Sequence, residues 1–247
     1  MRWLKFFAAA LLVTAPSVFA QDVPAGTVIP VMLTTTIDAA TAQPGQQIVG
    51  KIMEKVPLPS GIDIPEGAKI IGRVVETRIG YPESPSVLAL QFERIVFKRR
   101  ELHLAANVRA LAAMMAVYDA QVPIFVPDRV SQTAWLLAPV GGEAAFRPDN
   151  PEKSWGHFGG FVRFSGPPAP GCGDRVDQPG TTGALWVFSP YACGAYGFGK
   201  DLSIAHDGAT NPVGKIVLIS RKKVHVQAGS GFLLRAQSPV PGSMSDY

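Results

Sequence analysis

Short turns built from proline and glycine, each placed just before a β-branched run, constrain the fold of this chain more than any other feature. Two of them match as Pro-x-Gly-x-x-Ile, at residues 24–29 and 65–70, and a Pro-Gly pair at 44–45 precedes another apolar run. Proline fixes φ and glycine supplies the turn, so each pair marks the start of a strand. The two matching copies predict a duplicated hairpin-like unit, and two copies are too few for a solenoid.

Apolar runs and alternating patterns between these turns predict the strands. Residues 27–35 are apolar on both faces, which indicates a strand that is covered on both sides. Apolar and polar residues alternate cleanly at 87–97, and the alternation resumes after a basic turn at 98–100. This pattern predicts a hairpin with one solvent-exposed face. Gly72 falls inside a third run and predicts a bend or a close approach of two backbones. Further strands are predicted at 48–52, 69–76, 185–188, 215–219, 224–226 and 232–235.

Composition supports an all-β class. The chain has 25 glycines and 22 prolines in 247 residues, and 47% of its residues are apolar. This is too many turn formers for a helical protein and too much apolar content for a disordered one. We therefore predict one β domain at 21–236, either a small modified β-barrel or a sandwich. Its parts are a first half at 27–104, an insertion at 105–184 and closing strands at 185–236, and the tail at 237–247 is expected to fray.

The predicted insertion is long and rich in glycine and proline. Residues 105–120 have a helix-forming composition without a clean amphipathic stripe, so one short helix is an interpretation of that part. Long loops of this kind are usually functional or disordered. Cys172 and Cys193 are the two cysteines of the sequence. In an exported chain an even count favours a disulfide, which would staple the insertion, and neither cysteine has the C-x-x-C spacing of a metal site.

The first twenty residues have the layout of a secretory signal peptide. Arg2 and Lys5 precede an apolar stretch at 6–13, and the residues at 18–20 suit cleavage after position 20. An uncleaved anchor is the alternative, but the stretch is short for a ~30 Å hydrocarbon core and Pro16 interrupts it. The sequence therefore predicts export to the periplasm or the outer cell envelope, with no transmembrane helix after cleavage.

The charge of the chain gives little support to a nucleic-acid partner. The formal net charge is +4 at pH 7, and two of the positive charges belong to the predicted signal. The basic triplets at 98–100 and 221–223 both lie between apolar alternating runs, which is typical of charged hairpin turns. No nucleic-acid partner is predicted. An envelope protein or a glycan is the expected kind of partner, and an oligomer is compatible with the sequence.

Motifs for catalysis or cofactor binding are missing from the sequence. No two of the four histidines have the spacing of a local metal pair, Ser189 lacks the Gly-x-Ser-x-Gly context, and 229–231 lacks the helix of a phosphate loop. The sequence therefore names no catalytic residue, no metal ligand and no cofactor. His206 and Asp207 are the candidate pair for the alternative, a secreted hydrolase with dispersed catalytic residues.

The aromatic and glycine-rich stretch at 186–198 is the candidate binding surface. Exposed aromatic side chains on a rigid β frame serve carbohydrate or protein binding. Ordinary core packing around a disulfide is the alternative explanation for the same residues. The candidate binding residues are Trp186, Tyr191, Tyr196 and Phe198.

The order of the turn and strand motifs resembles the periplasmic β-barrel domain of the TrbI-like conjugation proteins, the core component of type IV secretion. The resemblance rests on 26–33, 44–45 and 64–74, followed by the strand at 88–97. It implies a modified β-barrel that assembles into a ring, anchored in the inner membrane by an N-terminal helix. This chain has a predicted cleavable signal in place of the anchor and no proline-rich spacer, so no functional residue is carried over.

Three hypotheses of function follow from the sequence. The first is an exported, non-enzymatic cell-envelope protein, a β-barrel-like scaffold or binding module whose insertion binds a partner. The second is the secreted hydrolase, and the third is a component of a secretion or conjugation channel.

Overall fold

The computed structural model describes residues 21–80, 84–122, 124–126, 134–137, 139–141, 144–147, 161–162, 183–189, 192–199, 201–205 and 214–238. The predicted signal peptide, Cys172, Tyr191 and the pair His206-Asp207 lie outside these residues. None of these residues belongs to a helix with the length and hydropathy of a membrane span.

The described chain is mostly β, with one helix, as its composition predicts. The helix is α1 (Met114–Gln121). The strands before it are β1 (Gln21–Asp22), β2 (Val28–Leu33), β3 (Ile37–Asp38), β4 (Gln47–Ile52), β5 (Val56–Pro57), β6 (Asp63–Ile64), β7 (Lys69–Arg78), β8 (Ser86–Phe97), β9 (Arg100–His103) and β10 (Ala106–Ala112). Those after it are β11 (Ile124–Val126), β12 (Ala134–Leu137), β13 (Ala144–Arg147), β14 (Phe161–Val162), β15 (Gly194–Tyr196), β16 (Leu202–Ala205), β17 (Ile216–Ser220), β18 (His225–Val226) and β19 (Gly231–Ala236).

A sheet of eleven strands curls into a nearly closed barrel. Its order is β1-β9-β8-β7-β4-β2-β19-β10-β15, and β17 pairs with both β8 and β16. The long strand β8 brings the sheet round on itself. One of its edges pairs with β7, while the other pairs with β17 along 86–90 and with β9 along 94–97. The strands β15 and β16, which follow each other in the chain, flank the gap that remains. A separate sheet contains β11 to β14.

Four copies of one turn begin the four neighbouring strands β7, β4, β2 and β19. In chain order, the turn at 24–27 precedes β2, that at 43–46 precedes β4, that at 65–68 precedes β7 and that at 227–230 precedes β19. In each turn the amide of the fourth residue donates to the carbonyl of the first, as Thr27 does to Pro24 at 3.2 Å and Ser230 does to Gln227 at 3.1 Å. The third residue is always glycine, with φ of +84°, +85°, +80° and +90° in chain order. Glycine is favoured because a side chain strains this left-handed conformation.

The four turns form two reciprocal pairs. The glycine N–H of each turn donates to a carbonyl at the end of the partner strand's ladder, and the bonds are Gly26 to Ala236, Gly229 to Leu33, Gly45 to Val74 and Gly67 to Ile52. The first two bonds close β2 against β19, and the last two close β4 against β7. The sequence therefore predicts too few copies of this turn, two where the structure has four. Sequence matching missed two copies because Gln43 and Gln227 stand where the others have proline.

The interior of the barrel is a packed apolar core. Alternate residues of β2 and β8 are buried in it, among them Ile29, Leu90 and Phe92. The rings of Phe92 and Phe232 meet edge to face with centroids 5.7 Å apart. The two-stranded ribbons β3–β18 and β5–β6 extend this core with the fully buried side chains of Ile37, Val226, Val56 and Ile64. Burial of this kind is the dominant stabilising term of a domain.

The predicted behaviour of Gly72 is confirmed. The register between β7 and β8 shifts between Ile71 and Gly72. A Cβ atom on Gly72 would lie 2.1 Å from the carbonyl oxygen of Gln91 and 2.9 Å from the Cα of Phe92. The backbones of the two strands therefore approach closely enough at this point to exclude any side chain.

The two basic triplets take different structural roles. The prediction of a hairpin turn is confirmed at 98–100, where β8 turns into β9 and the strands pair antiparallel. It is wrong at 221–223, because these residues connect β17 to β18, which pairs with β3 and not with β17. The triplets lie at opposite ends of β8, since Ser220 pairs with Ser86 and Phe97 pairs with Arg100. They do not form one basic patch.

Two predicted segments differ from the structure. Residues 106–112, assigned to the insertion, form β10 and pair with β19 inside the barrel sheet. The short helix considered at 105–120 exists, but it occupies only 114–121.

Residues 185–188, predicted as a strand, form a turn in which the Phe188 N–H donates to the Leu185 carbonyl at 2.9 Å. Trp186 has a φ of +52°, which a strand does not accommodate.

Candidate binding surface

A second apolar cluster covers one part of the barrel's outer face. Val28 of β2, Leu233 of β19 and Ala110 of β10 are buried there and belong to a cluster distinct from the barrel core. This burial explains why β2 is apolar on both faces. The residues that cover the outer face come from α1, from 183–189 and from the segment around 192–196, and the buried ones are Val117, Val187, Phe188 and Ala192.

Small side chains place α1 close to the barrel. The positions that face the cluster are Ala116, Val117 and Ala120, and the helix begins after Ala113, whose carbonyl accepts from the Val117 N–H at 3.0 Å. Gly197 lies against this end of the helix, where a Cβ atom would be 3.0 Å from the Cβ of Ala113. Spacings of three and four residues put these positions on one helical face.

Three large apolar side chains of α1, and that of Val122 directly after it, are exposed. The exposed fractions are 38% for Met114, 56% for Met115, 59% for Tyr118 and 41% for Val122. Positions 115 and 118 have the spacing of one helical stripe, and Val122 follows directly after the last helical residue with an extended backbone. A surface helix usually buries its large apolar residues and exposes polar ones. We call Met114, Met115, Tyr118 and Val122 the α1 face. Among the residues whose burial the structure describes, which leaves out β11 to β14, Ile79 is the one other strongly exposed large apolar side chain.

The three described aromatic residues among those named from the sequence do not form one exposed patch. Trp186 and Tyr196 are half-buried against the outer cluster, and Phe198 is half-buried against the barrel core. Tyr191 lies outside the described residues. The three described aromatics contribute to packing, which was the alternative explanation of this stretch, and a role in binding stays a prediction.

Trp186 is held by a carboxylate from the barrel. The Oε2 atom of Glu54 accepts hydrogen bonds from the backbone N–H groups of Leu185, at 3.2 Å, and Trp186, at 2.6 Å. The N–H of Ala184 also donates to the Val28 carbonyl at 3.2 Å. These bonds fix the segment 183–189 on the barrel wall beside the outer cluster.

Tyr196 closes a local ring with the backbone of Cys193. Its hydroxyl accepts from the Cys193 N–H at 3.0 Å and donates to the Cys193 carbonyl at 2.8 Å. Burial raises the pKa of Tyr196 above the ordinary tyrosine value, although the hydrogen bond to Cys193 and the charge of Arg109 both act to lower it. A Cβ on Gly141 would lie 2.4 Å from this hydroxyl. Because its pKa is raised, the tyrosine stays neutral at physiological pH. Its bonds to Cys193 and the close approach of Gly141 make it a structural contact.

The predicted disulfide involves one described cysteine. Cys193 is not a free cysteine, and Cys172 lies outside the described residues. The bond between Cys172 and Cys193 therefore stays a prediction.

The described residues offer little for catalysis or metal binding. They contain no group of three or more histidine, cysteine, aspartate or glutamate side chains that could hold a metal ion. His225 and Asp38 form a partly exposed pair across the ribbon β3–β18, with Nδ1 and Oδ2 3.4 Å apart. Ser189 is buried. His206 and Asp207, the candidate pair of the hydrolase hypothesis, lie outside the part of the chain that the structure describes.

No protein-family model and no curated protein matches this chain.

The α1 face was not among the residues named from the sequence. A signal for it exists in the spacing of Met115, Tyr118 and Val122 together with the small residues between them. Periodicity alone could not say which side of the helix faces the barrel. The small residues are buried here because the helix packs against a sheet that is itself apolar on the outside.

Proposed function

We propose that this protein is an exported, non-enzymatic cell-envelope protein, a β-barrel-like binding module whose contact element is helix α1. The observation that carries the proposal is the α1 face, four large apolar side chains that a rigid barrel presents to solvent. Exposed apolar surface of this kind marks sites of interaction. Export is supported by the sequence pattern of residues 1–20.

The proposed partner is a protein with an apolar groove that accepts a single helix. A helix of eight residues offers much less surface than the ~800 Å² per partner that a stable interface between two globular surfaces needs. Recognition of a helix in a groove needs less area, and it uses anchors at helical spacings such as that of Met115 and Tyr118. Methionine suits such contacts because its flexible thioether adapts to irregular surfaces.

A disulfide between Cys172 and Cys193 is the second part of the proposal. It would tie the glycine- and proline-rich insertion to the segment that carries Tyr196. The cross-link would reduce the number of conformations open to a segment that has few apolar residues of its own. We propose that this bond holds the part of the insertion around Cys172 near α1, because Gly197, four residues after Cys193, lies against Ala113 at the start of the helix.

Capture from the native envelope tests the proposed contact element. The double variant Met115→Ser/Tyr118→Ser should lose a partner that the wild-type protein retains. The variant Ile79→Ser is a matched control, because Ile79 has a similar exposure, 53%, but is not part of α1. Equal capture by all three proteins would contradict the role of α1. Hydrolysis of peptidoglycan, peptide or ester substrates by the pure protein would contradict the non-enzymatic assignment.

A component of a secretion or conjugation channel is the second candidate function. It is favoured by the barrel-like sheet together with the resemblance of residues 24–104 to the TrbI-like β-barrel domain. Ring-shaped assemblies in solution or in the native envelope would support this function. A protein that stays monomeric under both conditions would count against it.

A further inference from the structure

Two adjacent methionines begin α1, and both are exposed. The exposed fraction is 56% for Met115 and 38% for Met114. The other described methionines, Met32 and Met53, are only partly exposed. Oxidation of a methionine thioether depends on access of the oxidant to the sulfur. The α1 face therefore contains the two most accessible described thioethers.

The surroundings of the two sulfur atoms differ. Met114 packs over the fourth of the repeated turns, where its Cγ and Sδ atoms are 2.8 Å and 3.6 Å from the place that a Cβ of Gly229 would occupy. Gly229 also closes β2 against β19 through its bond to Leu33. Met114 thus joins the helix to the barrel, whereas Met115 is the more exposed of the two. A change at Met115 alters the surface, and a change at Met114 also alters how α1 is seated.

We propose that Met115 and Met114 are reversible oxidation sites through which hydrogen peroxide makes the α1 face less apolar. The sulfur lone pair attacks one oxygen of hydrogen peroxide and the O–O bond breaks. The proton on the attacked oxygen passes to the departing hydroxide, so the second oxygen leaves as water and the first remains as the sulfoxide oxygen. The thioether is oxidised by two electrons to a sulfoxide, and the peroxide is reduced. A sulfoxide is polar, and reductases specific for it restore the thioether. The consequence for partner binding rests on the proposed function, whereas the oxidation itself does not.

Peptide mapping of the folded full-length protein tests the order of oxidation. After brief exposure to hydrogen peroxide, Met115 should become sulfoxide at least about fivefold faster than Met32 and Met53, with Met114 between them, because susceptibility follows exposure. Equal rates at Met115 and Met53 would overturn the proposal. Met32 and Met53 act as controls within the same molecule, so no variant is needed for this measurement.

Retention on a hydrophobic-interaction resin tests the effect on the surface. Peroxide should shorten the retention of the wild-type protein, and treatment with methionine sulfoxide reductase should restore it. The variant Met114→Leu/Met115→Leu keeps a similar volume and should show no change with peroxide. Unchanged retention of the oxidised wild-type protein would overturn the proposal. Retention on the resin is measured without a binding partner. If no partner is captured from the envelope, the proposed function is contradicted, and the oxidation of the α1 face is still tested by the retention experiment.

Discussion

The carboxylate of Glu54 and the backbone N–H of Trp186 are joined by a 2.6 Å hydrogen bond across a sequence separation of 132 residues. Glu54 follows strand β4 of the barrel, and Trp186 lies in a turn with a positive φ. Hydrogen bonds to an ionised carboxylate are shorter and stronger than neutral ones. This contact therefore helps to hold a strained turn against the outer cluster.

Replacement of Glu54 by alanine should loosen that turn. The free energy of unfolding should fall by about 1.5 kcal/mol, the low end for hydrogen bonds to charged groups, because Glu54 is exposed. Hydrogen exchange should become faster at the amides of Leu185 and Trp186. Glu66→Ala is the matched control, since Glu66 is an exposed carboxylate in one of the four repeated turns. Protection of both amides at the wild-type level in Glu54→Ala would show that the contact is unimportant.

Replacement of Ser230 by alanine should stabilise the protein. Its hydroxyl is buried without a hydrogen-bond partner, and loss of an unsatisfied buried polar group should raise the free energy of unfolding by about 1 kcal/mol. Ala68 already occupies the equivalent position of another turn. Thr27, at the same position in the first turn, donates to the Pro24 carbonyl at 2.7 Å. Thr27→Ala should therefore lower the free energy of unfolding. Urea titrations of the wild-type protein and the two variants measure both effects. A loss of stability in Ser230→Ala would refute this assignment.

Gly67 and Gly72 should respond differently to alanine. At Gly67 no atom lies within 4 Å of the added Cβ, so the cost is that of the left-handed backbone alone, about 1 kcal/mol. At Gly72 the Cβ would meet the backbone of β8, and the cost should be at least about 2 kcal/mol through overpacking. Thermal unfolding of the two variants compares these costs directly. Equal losses would mean that β7 can move away from β8.

Tyr196 should make the protein less stable at high pH. Burial raises its pKa in the folded state, so the unfolded chain loses the tyrosine proton first as the pH rises past about 10. The contribution of the neutral hydroxyl is complete below that pH and is lost above it. Tyr196→Phe should remove this part of the alkaline decline while lowering stability at neutral pH, because the two bonds to Cys193 are lost. Tyr118→Phe, at an exposed position, is the control. An unchanged alkaline decline in Tyr196→Phe would contradict the prediction.

The predicted disulfide should matter locally. A bond between Cys172 and Cys193 closes a loop that is worth roughly 3 kcal/mol in the chain-entropy model. Cys172→Ser or Cys193→Ser should therefore speed hydrogen exchange within 165–200 and leave the strands at 27–104 protected. Two free thiols in the non-reduced protein isolated from the native envelope, titrated after denaturation, would refute the bond. Global unfolding of either variant would show that the insertion is part of the main core.

How much of the fold was predictable depended on the range of the interactions that decide it. The hairpin at 87–104 and the close approach at Gly72 were predictable, because alternation and a glycine inside a strand are local signals. The turn at Trp186 was not, since its sequence is apolar and strand-like and its conformation depends on Glu54, far away in the chain. Likewise, β10 has a helix-forming composition but forms a strand because the edge of β19 pairs with it.

The sequence by itself determined the β class, the positions of the strand-starting turns and the two covered faces of β2. These features follow from φ preferences and from side-chain alternation, which act over a few residues. Tertiary structure alone decided that four turns and not two belong to one pattern, because the pattern is visible in the bonds of Gly26, Gly45, Gly67 and Gly229 to carbonyls of partner strands. It also decided which side of α1 is exposed. The helix has small residues on one side and large apolar ones on the other, and the barrel's outer face accommodates only the small side closely.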